Sequence, residues 1–122
     1  GGLLERRHFN MGVALEQLGR MDEALEHYTM AARLAPTDSG VLYNMGLIHL
    51  DRGELDESLA CFLEAIRRNP RSAGSLHKAG SIKALQGQFG AAVEYYRRAL
   101  EIDPQNPVFL NDLGRFEQSA SP

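Results

Sequence analysis

The chain has 122 residues, 43% of them hydrophobic and 24% charged, with a formal net charge of −3, the profile of an ordinary globular protein rather than a disordered one. A pI near 5.8 provides no basic footprint for phosphates, which argues against nucleic acid and against anionic membrane surfaces. No apolar run approaches the roughly 18 residues needed to span a bilayer, and no signal-peptide order is visible at the start, so a soluble, cytoplasmic chain is expected. Cys61 is the single cysteine, so no internal disulfide can form and no oxidising compartment is required. The opening Gly-Gly in place of Met reads as a remnant of cloning or as an internal start within something longer.

Shifting the sequence against itself by 34 residues aligns Gly12, Gly46 and Gly80, then Gly19, Gly53 and Gly87, then Ala31, Ala65 and Ala99, and finally Pro36, Pro70 and Pro104. Other columns match in type: Ala24, Ser58 and Ala92 are small, and Tyr28, Phe62 and Tyr96 are aromatic. Three gapless copies therefore span 5–38, 39–72 and 73–106 of one domain covering 1–122.

Each copy reads as two helices. In the first, "LGRMDEA" puts Gly19 at a helix C-terminus, where the left-handed conformation suits glycine, and Asp22 is expected to cap the next helix. The second and third copies repeat this with Gly53 and Asp56, and with Gly87 and Gly90 in the cap place. Each proline stops the second helix, and Asp38, Ser72 and Asn106, two residues later, are preferred N-caps for the first helix of the next copy. Leu4 stands where a cap before the first copy belongs, again as if the array continued upstream. Residues 107–118 repeat the first helix of a fourth copy, with Pro107 at its favoured first position, as a capping helix or a half repeat. Residues 119–122 are expected to be a disordered tail.

These columns resemble the tetratricopeptide repeat. His8, Met11, Gly12, Leu15, Ala24, Tyr28, Ala31 and Pro36 carry the pattern in the first copy; Leu42, Met45, Gly46, His49, Ser58, Phe62, Ala65 and Pro70 in the second; Leu76, Ala79, Gly80, Lys83, Ala92, Tyr96, Ala99 and Pro104 in the third. The usual Tyr at repeat position 11 and Trp at position 4 are absent, while the small and proline columns are intact. The resemblance implies an all-α fold, a right-handed superhelical solenoid of antiparallel helix pairs, with the first helix of each pair lining a concave, non-catalytic binding face.

On that face the resemblance points to positions 2, 5, 6 and 9. These are Arg6, Phe9, Asn10 and Val13, then Gly40, Tyr43, Asn44 and Leu47, then Gly74, His77, Lys78 and Ser81, an i, i+3, i+4, i+7 stripe. Aromatics there offer contact area at low entropic cost, and the amides of Asn10 and Asn44 can both donate to and accept from a peptide backbone. The expected ligand is thus a peptide or protein segment. Cochaperone repeats that clamp two carboxylates use five positions occupied here by Phe9, Val13, Asn44, Gly74 and Lys78, of which only Asn44 and Lys78 match, so that specificity is not expected. The copies sum to −2, −1 and +1 in order.

No catalytic residue, cofactor or metal is indicated. His8, His27, His49 and His77 show no i, i+4 pairing and lack a cysteine pair, "GQFGAA" follows no strand, and "DEALE" and "ELDES" are helix-start charges. Besides a plain interaction scaffold, two alternatives stand: a substrate-recruiting piece of a larger enzyme such as a glycosyltransferase, or a homo-oligomer formed by stacking of end repeats.

Overall fold

The computed structural model describes residues 2–120, which form seven helices: α1 (Leu3–Gln17), α2 (Met21–Leu34), α3 (Gly40–Asp51), α4 (Leu55–Arg68), α5 (Ala73–Leu85), α6 (Phe89–Ile102) and α7 (Pro107–Ala120). The ends of α1, α3 and α5, and both ends of α2, α4 and α6, recur at intervals of 34 residues. Two compact units result, one of α1 to α4 and one of α5 to α7.

Within each pair the helices approach because glycine removes a side chain at the crossing. A Cβ placed on Gly12 would stand 2.6 Å from Tyr28 Cε1, one on Gly46 2.7 Å from Phe62 Cζ, and one on Gly80 2.9 Å from Tyr96 Cδ1. The three rings are essentially fully buried, so the space left by glycine is filled by the aromatic sixteen residues on. Ala24, Ala31, Ala65, Ala92 and Ala99, each at most 1% exposed, continue the small-residue contact. Ser58 holds the same place in α4, and its Oγ donates to the Gly46 carbonyl at 2.7 Å, so the hydroxyl is buried at no unpaired cost.

The turns inside the pairs share one geometry. Gly19, Gly53 and Gly87 have φ of 78°, 75° and 77°, the left-handed region. Arg20 N–H donates to Leu15 O, Glu54 to His49 O and Gln88 to Lys83 O, each at 2.9 Å, the 6→1 bond of a Schellman motif. Where the sequence suggested Asp22, Asp56 and Gly90 as caps, the structure starts α2, α4 and α6 earlier. Arg20, Glu54 and Gln88 are the N-cap residues, and none uses its side chain to cap. Their carbonyls accept the first helical bond from Ala24, Ser58 and Ala92. Asp22 and Asp56 lie in the first turn, where their charge favours the helix dipole.

The caps after the prolines are uneven. Asn106 Oδ1 accepts from Val108 N–H at 3.0 Å and Phe109 N–H at 3.2 Å, a full side-chain cap for α7. Ser72 occupies the N-cap of α5 but bonds Ser75 Oγ at 2.8 Å. Asp38 precedes the N-cap of α3, Ser39, and accepts from Gly40 N–H at 2.8 Å. Of the expected tail, Ser119 and Ala120 are the last residues of α7, and 121 and 122 lie outside the described residues.

In the second unit α7 is fastened by aromatic rings. Phe116 stacks at 5.6 Å on Phe89 and 6.2 Å on Tyr96, while Phe109 stacks at 4.7 Å on His77. Among the described residues, no helix is long and apolar enough to cross a membrane.

Candidate functional site

In the first unit the expected stripe stays accessible. Arg6 and Asn10 are exposed, and Phe9, Val13, Tyr43, Asn44 and Leu47 are half-buried. The aromatics at repeat position 5 are not free-standing: the Phe9 ring lies 5.7 Å from Tyr28, and Tyr43 meets Phe62 edge-on at 5.6 Å. Each therefore shows one side to solvent and rests the other on the ring that fills the glycine gap.

Beneath the stripe runs a polar relay that the sequence did not suggest. Tyr28 is fully buried, yet its hydroxyl donates to Glu16 Oε1 at 2.8 Å. Burial, then the bond to Glu16, pushes the Tyr28 phenol well above its ordinary value. Tyr28 is thus a fixed donor at neutral pH that orients the Glu16 carboxylate.

Where α1 and α3 end, Glu16, Met21, Leu47, Leu50, Asp51 and Arg52 line an open pocket of about 530 Å³. At the opposite end of the same helices, Glu5, Arg6, Phe9, Asp38 and Val41 border a smaller one of about 280 Å³.

In the second unit the stripe differs. His77 was expected on the binding face, but it is only 8% exposed. Its Nε2 is 2.6 Å from Asp112 Oδ2, and its ring is sandwiched toward Phe109 and Tyr96, so it helps to fasten α7. Lys78 and Ser81 remain half-buried, and Ser81 Oγ lies 3.2 Å from Tyr96 Oη.

The histidines also group in ways that spacing along the chain could not reveal. His8 and His27 face each other across α1 and α2 with Nδ1 atoms 3.1 Å apart, one donating and one accepting. His49, Glu54 and Glu57 bring three donor atoms within 4.8 Å, enough in number for a metal, but Glu54 Oε1 already meets His49 Nδ1 at 2.8 Å and Arg52 Nε at 3.4 Å. That carboxylate is satisfied as the centre of an ion-pair cluster at the α3–α4 turn.

Arg68 has a structural task as well. Its guanidinium donates to the carbonyls of Ala32, Ala35 and Asp38 at 3.2, 3.3 and 3.2 Å, tying the end of α4 to the α2–α3 connection.

The tetratricopeptide repeat family model matches residues 43–107 and a second matches residues 6–38. The chain belongs to the tetratricopeptide repeat family. Solved structures agree on the fold. The first tetratricopeptide domain of Spaghetti (RPAP3), solved bound to the HSP90 peptide SRMEEVD, superposes with a TM-score of 0.87 at 18% identity, covering 98% of this chain and 94% of that one. The N-terminal domain of stress-induced protein-1 from C. elegans gives 0.83 at 18% identity over 93% and 94% of the two chains. MamA gives 0.84 at 19% over 94% and 67%. No curated protein matches the sequence significantly. Membership places the chain among helical-repeat proteins, a fold class of interaction modules.

Proposed function

We propose that this tetratricopeptide repeat protein is a non-catalytic interaction module that holds an extended peptide segment against α1 and α3. The carrying observation is the accessible stripe of the first unit, in which polar Arg6 and Asn10 alternate with the half-exposed faces of Phe9, Val13, Tyr43 and Leu47. Such a surface combines apolar contact with amide groups that can bond a peptide backbone at successive repeats. A solved domain of the same fold holding an HSP90 peptide supports a peptide as the ligand class. The acidic-terminus clamp is not carried over, because Phe9 and Val13 replace its polar residues here.

The test is selection of binders from a random peptide library on the whole chain, followed by affinity measurements on variants. Asn10→Ala and Arg6→Ala should each weaken the selected peptides by roughly fivefold, the ~1 kcal/mol scale of an interface truncation. Glu26→Ala, an exposed change on α2, should leave affinity unaltered. Equal losses from all three variants, or losses from Glu26→Ala alone, refute the assignment.

A further inference from the structure

Resting on the peptide-binding reading, we infer that the pocket at the ends of α1 and α3 is a receptor for one basic side chain, lysine or arginine, of the bound segment. Its volume of about 530 Å³ falls in the range of small-ligand clefts, and its chemistry is divided as a long basic side chain is. Met21, Leu47, Ile48 and Leu50 provide an apolar wall for a methylene stem. Glu16 and Asp51 stand at the same pocket to receive the charged head.

Three features raise the pocket's preference for a cation. First, α1 ends at Gln17 and α3 at Asp51, so the negative ends of two helix dipoles lie here. Second, Glu16 is held through Oε1 by the hydroxyl of fully buried Tyr28 at 2.8 Å, so the carboxylate is pre-oriented and little rotamer freedom is lost on binding. Third, Arg52, the cation on the pocket wall, is itself engaged by Asp22 at 3.0 Å and by Glu54 at 3.4 Å. With those partners counted, the charged groups around the pocket carry four carboxylates against one guanidinium. An acidic ligand side chain meets repulsion here; a basic one meets two charge-assisted acceptors.

Extended peptides of the form Ser-Val-Ser-Xaa-Ser-Val-Ser, with lysine, norleucine or glutamate at Xaa, test this on the intact chain by amide NMR titration at low ionic strength. The lysine peptide should bind about tenfold more tightly than the norleucine peptide, with shifts centred on Glu16, Leu50 and Asp51, and the glutamate peptide should bind weakest. In the Glu16→Gln/Asp51→Asn variant, whose new side-chain amide oxygen in α1 can still accept from Tyr28, the lysine advantage should vanish while the norleucine affinity stays unchanged. Equal binding of lysine and norleucine peptides along α1 and α3 overturns the basic pocket and leaves the peptide groove standing. Absence of shifts on α1 and α3 with every peptide overturns both.

Discussion

Gly46→Ala and Gly114→Ala place the same methyl group at the same repeat position in two surroundings. At Gly46 the new Cβ lies 2.7 Å from Phe62 Cε1 and Cζ and 3.0 Å from Cδ1, and Phe62 is 0% exposed, so the ring or the α3–α4 crossing must move. Overpacking of this kind costs about 1–3 kcal/mol, offset by the ~1 kcal/mol that alanine gains over glycine inside a helix. The net is a destabilisation of about 1 kcal/mol. At Gly114 in α7 a Cβ meets nothing within 4 Å, and the helix gain stands alone, a stabilisation of roughly 0.5–1 kcal/mol. Urea unfolding followed by circular dichroism, with native-state hydrogen exchange to read α3 and α4 separately, should therefore separate the two variants by about 2 kcal/mol, the difference between these estimates. Introducing Phe62→Leu should shrink the Gly46→Ala penalty, giving a favourable coupling in the double-mutant cycle. If Gly46→Ala stabilises as Gly114→Ala does, the glycine does not exist to admit the ring and the packing argument fails.

Arg68→Ala should destabilise the first unit by about 2 kcal/mol, since it removes a charged donor from three carbonyls, with exchange protection falling first at residues 32–38. The Glu64 carboxyl, lowered to about 2 chiefly by its hydrogen bond from Arg67 and further by Arg68, should titrate near that value in carboxyl NMR. A depressed carboxylate stabilises the fold above its ordinary value near 4.5 and loses that contribution as pH falls through about 2, so Glu64→Gln should flatten the acid limb of stability across that window. Cys61, its thiol raised from 9.0 to about 11 by burial and secondarily by Glu57, should react with iodoacetamide at pH 8 roughly 100-fold more slowly than an unfolded-state thiol. Equal rates in native and urea-unfolded protein count against that burial.

The fold was legible because its determinants lie close together in sequence. Gly46 and Phe62, or Gly19 with its Schellman bond, recur in register, and one period reveals them all. The missed starts of α2, α4 and α6 have a local cause. Cap preferences point to Asp22 and Asp56, yet the Schellman bond ends at Arg20 and Glu54, whose carbonyls begin the next helix at once, so the backbone leaves no place for an aspartate cap. The site was only half legible. The stripe of Asn10 and Tyr43 is what the repeat resemblance implies, with helical spacing placing it on one face, whereas His77 is covered by Phe109 and Asp112, 32 and 35 residues further along, a contact that no periodicity along one helix encodes. Glu16 escaped notice because an isolated acid near a helix end resembles solvated surface; only the buried hydroxyl of Tyr28 distinguishes it. Arg68 likewise looks like an ordinary outer residue until its three carbonyl partners are seen.

The glycine and aromatic that lock each pair are sixteen residues apart in all three copies. Closing a loop of that order takes on the order of 100 ns, and folds dominated by such local contacts fold quickly. Each helical hairpin can thus latch as soon as its second helix has left the ribosome, before the next copy has been synthesised. A duplicated copy brings its own latch with it, so an array of this kind can lengthen by whole units without inventing a new core.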